Sequence, residues 1–203
     1  MCIRDSSSYS LQGTNNGTSW GDNGERDVSL SGTLAAGDVY VVAADQADAA
    51  ILAEADLALA YESPVHHNGD DGIALLKEGV IIDAIGVEND DPGSGWDVAG
   101  VTNATANHTL VRQLSVTGGN GGDWSASAGT SEDNSEWIVY DQDTWDYLGY
   151  HGTTSNEPSI TIVSPENGAT MSTNQVTIEF SVNNFNIGSA GDGVDGHVHY
   201  QLN

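Results

Sequence analysis

Basic residues and cysteine are the scarcest components of this chain. Only 4 Lys or Arg residues stand against 30 Asp or Glu residues, which gives a formal net charge of -26 over 203 residues. Such a negative field repels phosphate backbones, so we expect no direct binding of nucleic acid. The field favours cation binding and solubility in salty water. The only cysteine is Cys2, at the start of the chain, so we expect no cysteine nucleophile.

Long apolar runs and catalytic motifs are also absent from the sequence. No run approaches the ~20 apolar residues that a membrane-spanning helix needs. The patterns G-x-S-x-G, H-E-x-x-H and a glycine-rich phosphate loop do not occur, so we expect no catalytic residue. His66 and His67 adjoin in a loop and point in different directions, which favours a solvated or supporting role over a general base.

A hairpin is the clearest structural signal that the sequence contains. Residues 73–77 and 80–87 form two short, apolar runs rich in β-branched side chains, typical of strands. Glu78 and Gly79 between them predict a two-residue loop, in which Gly79 supplies the positive φ. Residues 68–72, NGDDG, predict the turn that precedes the first strand. We expect this hairpin to be central and largely covered.

The surrounding sequence predicts an all-β unit with one short helix. The composition is rich in turn-forming residues, with 25 glycines. Further strands are predicted at 39–43, 108–114 and 136–140, and the polar run around Trp124 reads as a strand or strand-like loop. The alanine-rich stretch 45–60 has apolar residues at helical spacing, which predicts a short helix that plugs a core.

A second unit is predicted after a change in composition. Residues 153–158 are polar and typical of a linker. Short alternating strands then follow at 159–165, 176–182 and 197–202. We therefore expect residues 159–203 to be the N-terminal part of a second, immunoglobulin-like β-sandwich.

The first six residues resemble the translation of a sequencing adapter, a contaminant found at the ends of metagenomic reading frames. Residues 1–6 read MCIRDS, so the authentic chain is expected to begin near Ser7. The last residues, YQLN, end within a predicted strand. We expect the sequence to be an internal fragment of a longer protein.

Residues 7–152 resemble a bacterial lamin-tail domain. The resemblance is carried by four segments in family order: LSGTLAAGDVYVVA, NGDDGIALLKEGVIIDAIG, HTLVRQ and EWIVYDQDTWDYLG. It implies an immunoglobulin-like β-sandwich, here without the first strands that usually open the domain. The second unit is similar to immunoglobulin-like modules of secreted proteins from marine bacteria.

The resemblance implies two functions, and the five tryptophans leave a third open. The first is a non-catalytic accessory, adhesion or targeting module of a secreted or cell-surface multidomain protein, whose partner is a cell-surface polymer, a polysaccharide or a protein. The second is the accessory region of an extracellular nuclease or other hydrolase whose catalytic domain lies elsewhere. The third is a carbohydrate-binding module, which would need several tryptophans exposed together on the surface.

Five residues are predicted to have structural roles: Gly79, Asp83, Trp96, Arg112 and Trp137. Asp83 lies in an apolar strand and is expected to share a face with Ile81 and Ile85. A buried carboxylate needs a partner, so Asp83 is expected either to pair with Arg112 or to accept hydrogen bonds from backbone amides. Tryptophans fill the cores of sandwich domains, which is the role expected of most of the five in this chain.

Calcium is the ligand that the acidic, glycine-rich loops favour, although no cofactor is required by the sequence. Carboxylates supply the hard oxygen ligands that calcium prefers. The candidate carboxylates are Asp70, Asp71, Asp90, Asp91, Asp192 and Asp195. None of them fits the EF-hand spacing, and turn geometry alone explains NGDD. His197 and His199 share one face of a predicted strand, which is compatible with a transition metal.

Overall fold

The computed structural model describes residues 4–5, 8–22, 26–35, 37–151, 159–165 and 177–183. The chain divides into two compact units, Met1–Thr153 and Thr154–Asn203. The elements in chain order are β1 (Arg4–Asp5), β2 (Tyr9–Gly13), β3 (Asp27–Ser29), β4 (Thr33–Leu34), β5 (Val42–Ala44), α1 (Ala49–Glu54), β6 (Leu57–Leu59), β7 (Ile73–Lys77), β8 (Val80–Ile85), β9 (His108–Arg112), α2 (Trp124–Ala128), β10 (Trp137–Asp141), β11 (Ser159–Ser164) and β12 (Glu179–Asn183).

The described chain is all-β, with strands in several small sheets and two short α-helices. The largest sheet has four antiparallel strands in the order β3-β2-β7-β8. Strands β9 and β10 form an antiparallel pair, β5 and β6 a parallel pair, and β1 pairs with β4. None of the described helices is long and apolar enough to cross a membrane.

The predicted hairpin forms, and its loop has the predicted conformation. Strands β7 and β8 are joined by Glu78 and Gly79, whose φ angles are 50° and 78°. Two consecutive positive φ angles make a turn whose twist matches that of the flanking strands. A Cβ added at Gly79 would meet no atom within 4 Å, so the loop needs glycine for its backbone conformation and not for space.

The hairpin is only partly central, because β7 lies inside the sheet while β8 forms its edge. A register irregularity between Leu75 and Leu76 pairs Leu75 with Asp83 and Leu76 with Ile81. Ile81 therefore packs with the buried face of Ala74, Leu76 and Ala84. The expectation that Asp83 shares its face with Ile81 was wrong, since a β-bulge changes the alternation of side chains.

The predicted helix at 45–60 is shorter than expected. Helix α1 ends at Glu54, and Leu57–Leu59 form strand β6 instead. The Asp56 carboxylate accepts a 2.8 Å hydrogen bond from the Val41 amide, and the Asp56 amide donates to the Val41 carbonyl. These bonds direct the chain into the parallel pair with β5, and tertiary pairing overrides helix propensity. The helix has no buried residue, so it does not plug a core.

The run around Trp124 is a helix and not the predicted strand. Asp123 caps its first turn by accepting a hydrogen bond from the Ala126 amide at 3.1 Å. Trp124 and Ala128 are buried in the larger core cluster together with Trp137. The structure therefore contains a second short helix, and its apolar side fills the space beside β9 and β10.

The second unit is described only over two strands. Ser159–Ser164 and Glu179–Asn183 form an antiparallel pair. Both segments were predicted as strands from their alternating sequence, and both are strands. The linker at 153–158 and the predicted strand at 197–202 lie outside the described residues.

Candidate functional site

The edge of β8 meets a network of charged and polar side chains centred on Arg112. The Arg112 guanidinium donates through Nη2 to both carboxylate oxygens of Asp83, at 2.9 and 3.1 Å. Its Nη1 donates to Glu136 at 3.2 Å. One face of the guanidinium lies 4.1 Å from the centre of the Trp137 ring. Strand pairing explains the last contact, because Trp137 lies directly opposite Arg112 in the β9–β10 pair.

Backbone amides also bind Asp83. Its Oδ1 accepts hydrogen bonds from the amides of Asn120 and Ala84, at 3.0 and 3.1 Å. Both arrangements that the sequence left open for Asp83, the arginine pair and the backbone amides, are therefore present. The Asp83 side chain retains 34% of its exposure and that of Arg112 only 12%. The pair is thus solvated on its carboxylate side.

The loop around Asn120 covers the open edge of β8. The Asn120 side chain accepts a hydrogen bond from the Ala84 amide at 3.0 Å and donates to the Ala84 carbonyl at 2.7 Å. The Gly121 amide donates to the Ile82 carbonyl at 3.0 Å. An amide side chain thus replaces a neighbouring strand, which protects an edge that would otherwise present unpaired backbone groups.

A cavity of about 490 Å³ adjoins this network. Strands β9 and β10 form one wall, and the loop after β9 forms another. Its lining includes Asp83, Thr117, Gly118, Trp137, Tyr147 and Tyr150. A His151 ring nitrogen lies 3.1 Å from the Val116 carbonyl and ties the end of the unit to the same loop.

Three tyrosines form a cluster at the cavity that the sequence did not predict. The rings of Tyr140 and Tyr147 stack at 4.8 Å with an interplanar angle of 24°. Tyr150 lies 6.2 Å from Tyr147. A hydrogen bond with the Tyr140 hydroxyl raises the pKa of Tyr147 to about 12. The three tyrosines are visible in the sequence at positions 140, 147 and 150. Nothing in the sequence indicates that their rings meet, because only folding brings them together.

The predicted calcium ligands Asp70 and Asp71 are buried, and Asp71 has structural partners. Asp71 accepts hydrogen bonds from the Asn16 amide at 2.7 Å and from Arg26 at 3.4 Å. The Asp70 Oδ1 atom is buried without a hydrogen-bond partner among the described residues. Asp71 thus fastens the loop at residues 14–17 to the start of the hairpin.

The remaining predicted ligands do not assemble in the described part of the chain. Asp90 and Asp91 are exposed, and Asp91 accepts a 2.8 Å hydrogen bond from the Gly93 amide, as a turn residue does. Residues 192, 195, 197 and 199 lie outside the described ranges. Within those ranges no group of three or more His, Cys, Asp or Glu side chains is placed to hold a metal ion.

The adjacent histidines face different surroundings. The Ser63 hydroxyl lies 3.0 Å from His66 Nδ1, and Asp45 lies 4.0 Å from His66 Nε2. His66 is half-buried against Ser63, which fits the supporting role that the sequence left open, and His67 is the more exposed of the two residues. Although part of His67 is exposed, desolvation by the atoms around its ring lowers the pKa of His67, and the charge of Asp71 acts in the opposite direction. Neither ring adjoins the cavity described above.

The lowered pKa of His67 predicts a dependence of stability on pH. The unfolded chain binds a proton at this ring with a pKa of 6.5 and the folded chain binds it less readily. The contribution to stability is therefore present above pH 6.5 and is lost as the pH falls below it. We expect this pH-dependent change in stability to be small, because part of the His67 residue is exposed to water. We expect the change to disappear in His67→Gln. Urea midpoints measured across this range provide the check.

The five tryptophans do not form an exposed platform. Trp124 and Trp137 are buried, and Trp96 packs against the same core cluster. Trp20 packs against the second cluster. Trp145 is the one described tryptophan with high exposure, at 40%. The structural roles predicted for Trp96 and Trp137 agree with these positions.

Comparison of the chain with protein-family models, with curated proteins and with solved structures finds no significant match.

Proposed function

We propose that residues 7–152 form a non-catalytic accessory module, used for adhesion or targeting by a secreted multidomain bacterial protein. The observation that supports this most strongly is the use of three carboxylates as ion-pair partners within the fold. Asp83, Glu136 and Asp71 each bind an arginine, and Asp83 and Asp71 also accept hydrogen bonds from backbone amides. Carboxylates held in this way act as braces between elements of the fold.

Surface charge supports a partner that is not anionic. The net charge of -26 repels nucleic acids and other polyanions over the range of the Debye length. Neutral cell-surface polymers, neutral polysaccharides and proteins with basic patches remain as partners. The proposed module would therefore reach its target without competing for nucleic acid.

The lamin-tail resemblance is part of this proposal, and the arrangement of strands supports it. Each of the four segments that carry the resemblance contributes at least one strand to the Met1–Thr153 unit. The segment with the hairpin supplies β7 and β8, and the last two supply β9 and β10. A lamin-tail module of immunoglobulin-like type would place binding surfaces on a rigid sandwich.

The second candidate is the accessory region of an extracellular nuclease or other hydrolase. It makes the same prediction for this chain, which would itself lack activity, and differs in what the rest of the reading frame encodes. A hydrolase domain in the flanking sequence would favour it, and repeated β modules would favour the first candidate. The carbohydrate-binding candidate is not supported by an exposed tryptophan platform. The tyrosine-lined cavity is the feature that supports it instead.

Turnover assays test the non-catalytic part of the proposal. The purified chain is incubated with plasmid DNA, RNA, a phosphate monoester and soluble polysaccharides, with and without calcium, magnesium and zinc. We expect no product above a buffer control. Turnover that co-purifies with the chain and falls in an Asp83→Asn variant would overturn the proposal, because it would assign a chemical role to a carboxylate that we treat as a brace.

A further inference from the structure

The cavity beside Arg112 combines aromatic rings with a small number of hydrogen-bonding groups. The aromatic residues Tyr147, Tyr150 and Trp137 line its wall. Asp83 and Thr117 contribute polar atoms, and its volume is about 490 Å³. Small-molecule sites in proteins are concave, fall in this range of volume and mix apolar walls with a few convergent polar groups. We propose that this cavity binds one or two units of a neutral saccharide.

Two polar groups at the cavity can still form hydrogen bonds with a ligand. The Asp83 Oδ2 atom accepts one hydrogen bond from the described residues, from Arg112 at 3.1 Å, and an ionised carboxylate oxygen has room for another. Thr117 is exposed, and its hydroxyl makes no hydrogen bond to another described residue. An acceptor and a hydroxyl that both donates and accepts match adjacent hydroxyl groups of a sugar ring.

The aromatic cluster supplies the other half of saccharide recognition. Tyr147 and Tyr150 are only half-buried, so part of each ring faces solvent. The stack of Tyr147 on Tyr140 holds the Tyr147 ring in place before a ligand arrives. A fixed ring costs little conformational entropy on binding and offers an apolar surface to the C–H face of a sugar.

Charge selects a neutral ligand from among the saccharides. The network at the cavity contains two carboxylates, Asp83 and Glu136, for the one guanidinium of Arg112. That guanidinium is already bound to both carboxylates and stacked on Trp137. It is therefore not available to receive a sulfate or a uronate group, and the acidic surface opposes such groups further.

This inference rests on the proposed function, because it names the partner class of a targeting module. Gly118 provides a variant that adds a side chain at the wall of the cavity. It lines the cavity, and a Cβ added there would meet no atom within 4 Å, so the first carbon of the Gly118→Leu side chain has room at this position. Tyr61→Ala is a matched control, because Tyr61 is a 79% exposed tyrosine that does not line this cavity.

Binding of soluble hexasaccharides of glucose by the full chain, followed by calorimetry and tyrosine-ring NMR shifts, tests the inference. We expect binding of at least one neutral linkage type, a loss of about tenfold or more in Tyr150→Ala and in Gly118→Leu, and no change in Tyr61→Ala. Binding that prefers sulfated or uronic oligosaccharides, or choline, would overturn it. So would equal binding by Gly118→Leu, or no binding to any of the neutral linkages.

A separate readout distinguishes failure of this inference from failure of the proposed function. Retention of the chain on bacterial envelopes depends on targeting but not on which site is used. Equal retention of the parent chain and of Gly118→Leu would be consistent with a targeting module. It would reject the cavity as the binding site. Loss of all retention in the parent chain would reject the proposed function itself.

Discussion

Replacing Arg112 with methionine is expected to lower the free energy of unfolding by about 3 kcal/mol. The variant leaves Asp83 and Glu136 without their cation and removes the guanidinium from the face of Trp137. Breaking a buried ion pair costs about 3–5 kcal/mol, since the remaining charge is left uncompensated. We expect a loss of stability at the lower end of this range, because the two carboxylate side chains are 34% and 35% exposed. Water therefore compensates part of the lost interaction.

Urea denaturation followed by tryptophan fluorescence measures this loss in the full chain. Every tryptophan lies between residues 20 and 145, so the signal reports on the Met1–Thr153 unit. Lys77→Met is the matched control, because Lys77 is exposed and its single described contact is with the Tyr9 ring at 5.5 Å. The control is expected to change stability by less than about 0.5 kcal/mol. An equally small change in Arg112→Met would show that the network does not brace the fold.

A double variant separates the charge effect from the lost packing. Asp83→Leu in the Arg112→Met background removes one of the two carboxylates that have lost their cation. We expect the double variant to be more stable than Arg112→Met alone, since an uncompensated charge costs more than an apolar replacement. Strictly additive losses would mean that Asp83 and Arg112 do not interact in solution.

Gly119→Ala is expected to cost about 3 kcal/mol or to prevent folding of the loop onto β8. A Cβ at this position would overlap the Ile82 carbonyl oxygen and would lie 2.8 Å from the Asp83 Cβ. Both are parts of β8 and cannot move without breaking the hydrogen bonds that Asn120 and Gly121 make to the strand edge. The absence of a side chain at Gly119 is therefore a condition for covering this edge.

The neighbouring glycine supplies the control for this substitution. Gly118→Ala places its Cβ in open space and is expected to change stability by less than about 0.5 kcal/mol. Melting temperatures and amide hydrogen exchange at Ile82 and Ala84 compare the two variants. Equal effects of the two substitutions would mean that the loop does not approach β8 as closely as the structure shows.

Local sequence signals predicted the parts of the fold that local chemistry determines. The β7–β8 loop needs two positive φ angles in succession, and the pair Glu78–Gly79 identified it. Strands were predicted at 108–114 and 136–140, where β9 and β10 form. The partner of Asp83 was also accessible from the sequence, because so few cations were available that only three basic residues beyond residue 6 could serve.

The parts that were missed depend on contacts between distant residues. Helix α2 is too short to show a helical period, and its Trp124 is held by packing against Trp137. Strand β6 was read as helix because its pairing with β5 has no local signal. The bulge in β8 places Ile81 on the opposite face of the sheet from Asp83. A run of isoleucines gives no indication of such a bulge.

The candidate site was also predicted only in part, because some of its contacts join distant residues. Asp83 and Arg112 were identified because a charge in an apolar strand is conspicuous in a sequence. Tyr140, Tyr147 and Tyr150 were not, because one of them lies in β10 and the others follow in a loop. Only the fold places their rings beside the Arg112 network and forms the cavity between them.

Retention on a surface tests the central claim, that this chain is a binding module, most directly. The full chain is fused to a fluorescent protein and passed over bacterial envelopes and insoluble neutral polysaccharide, with the fluorescent protein alone as reference. We predict retention above the reference, and retention on the neutral polysaccharide is expected to persist at high salt, because a neutral partner leaves little for ions to screen. Retention no greater than that of the fluorescent protein on every surface would contradict the account.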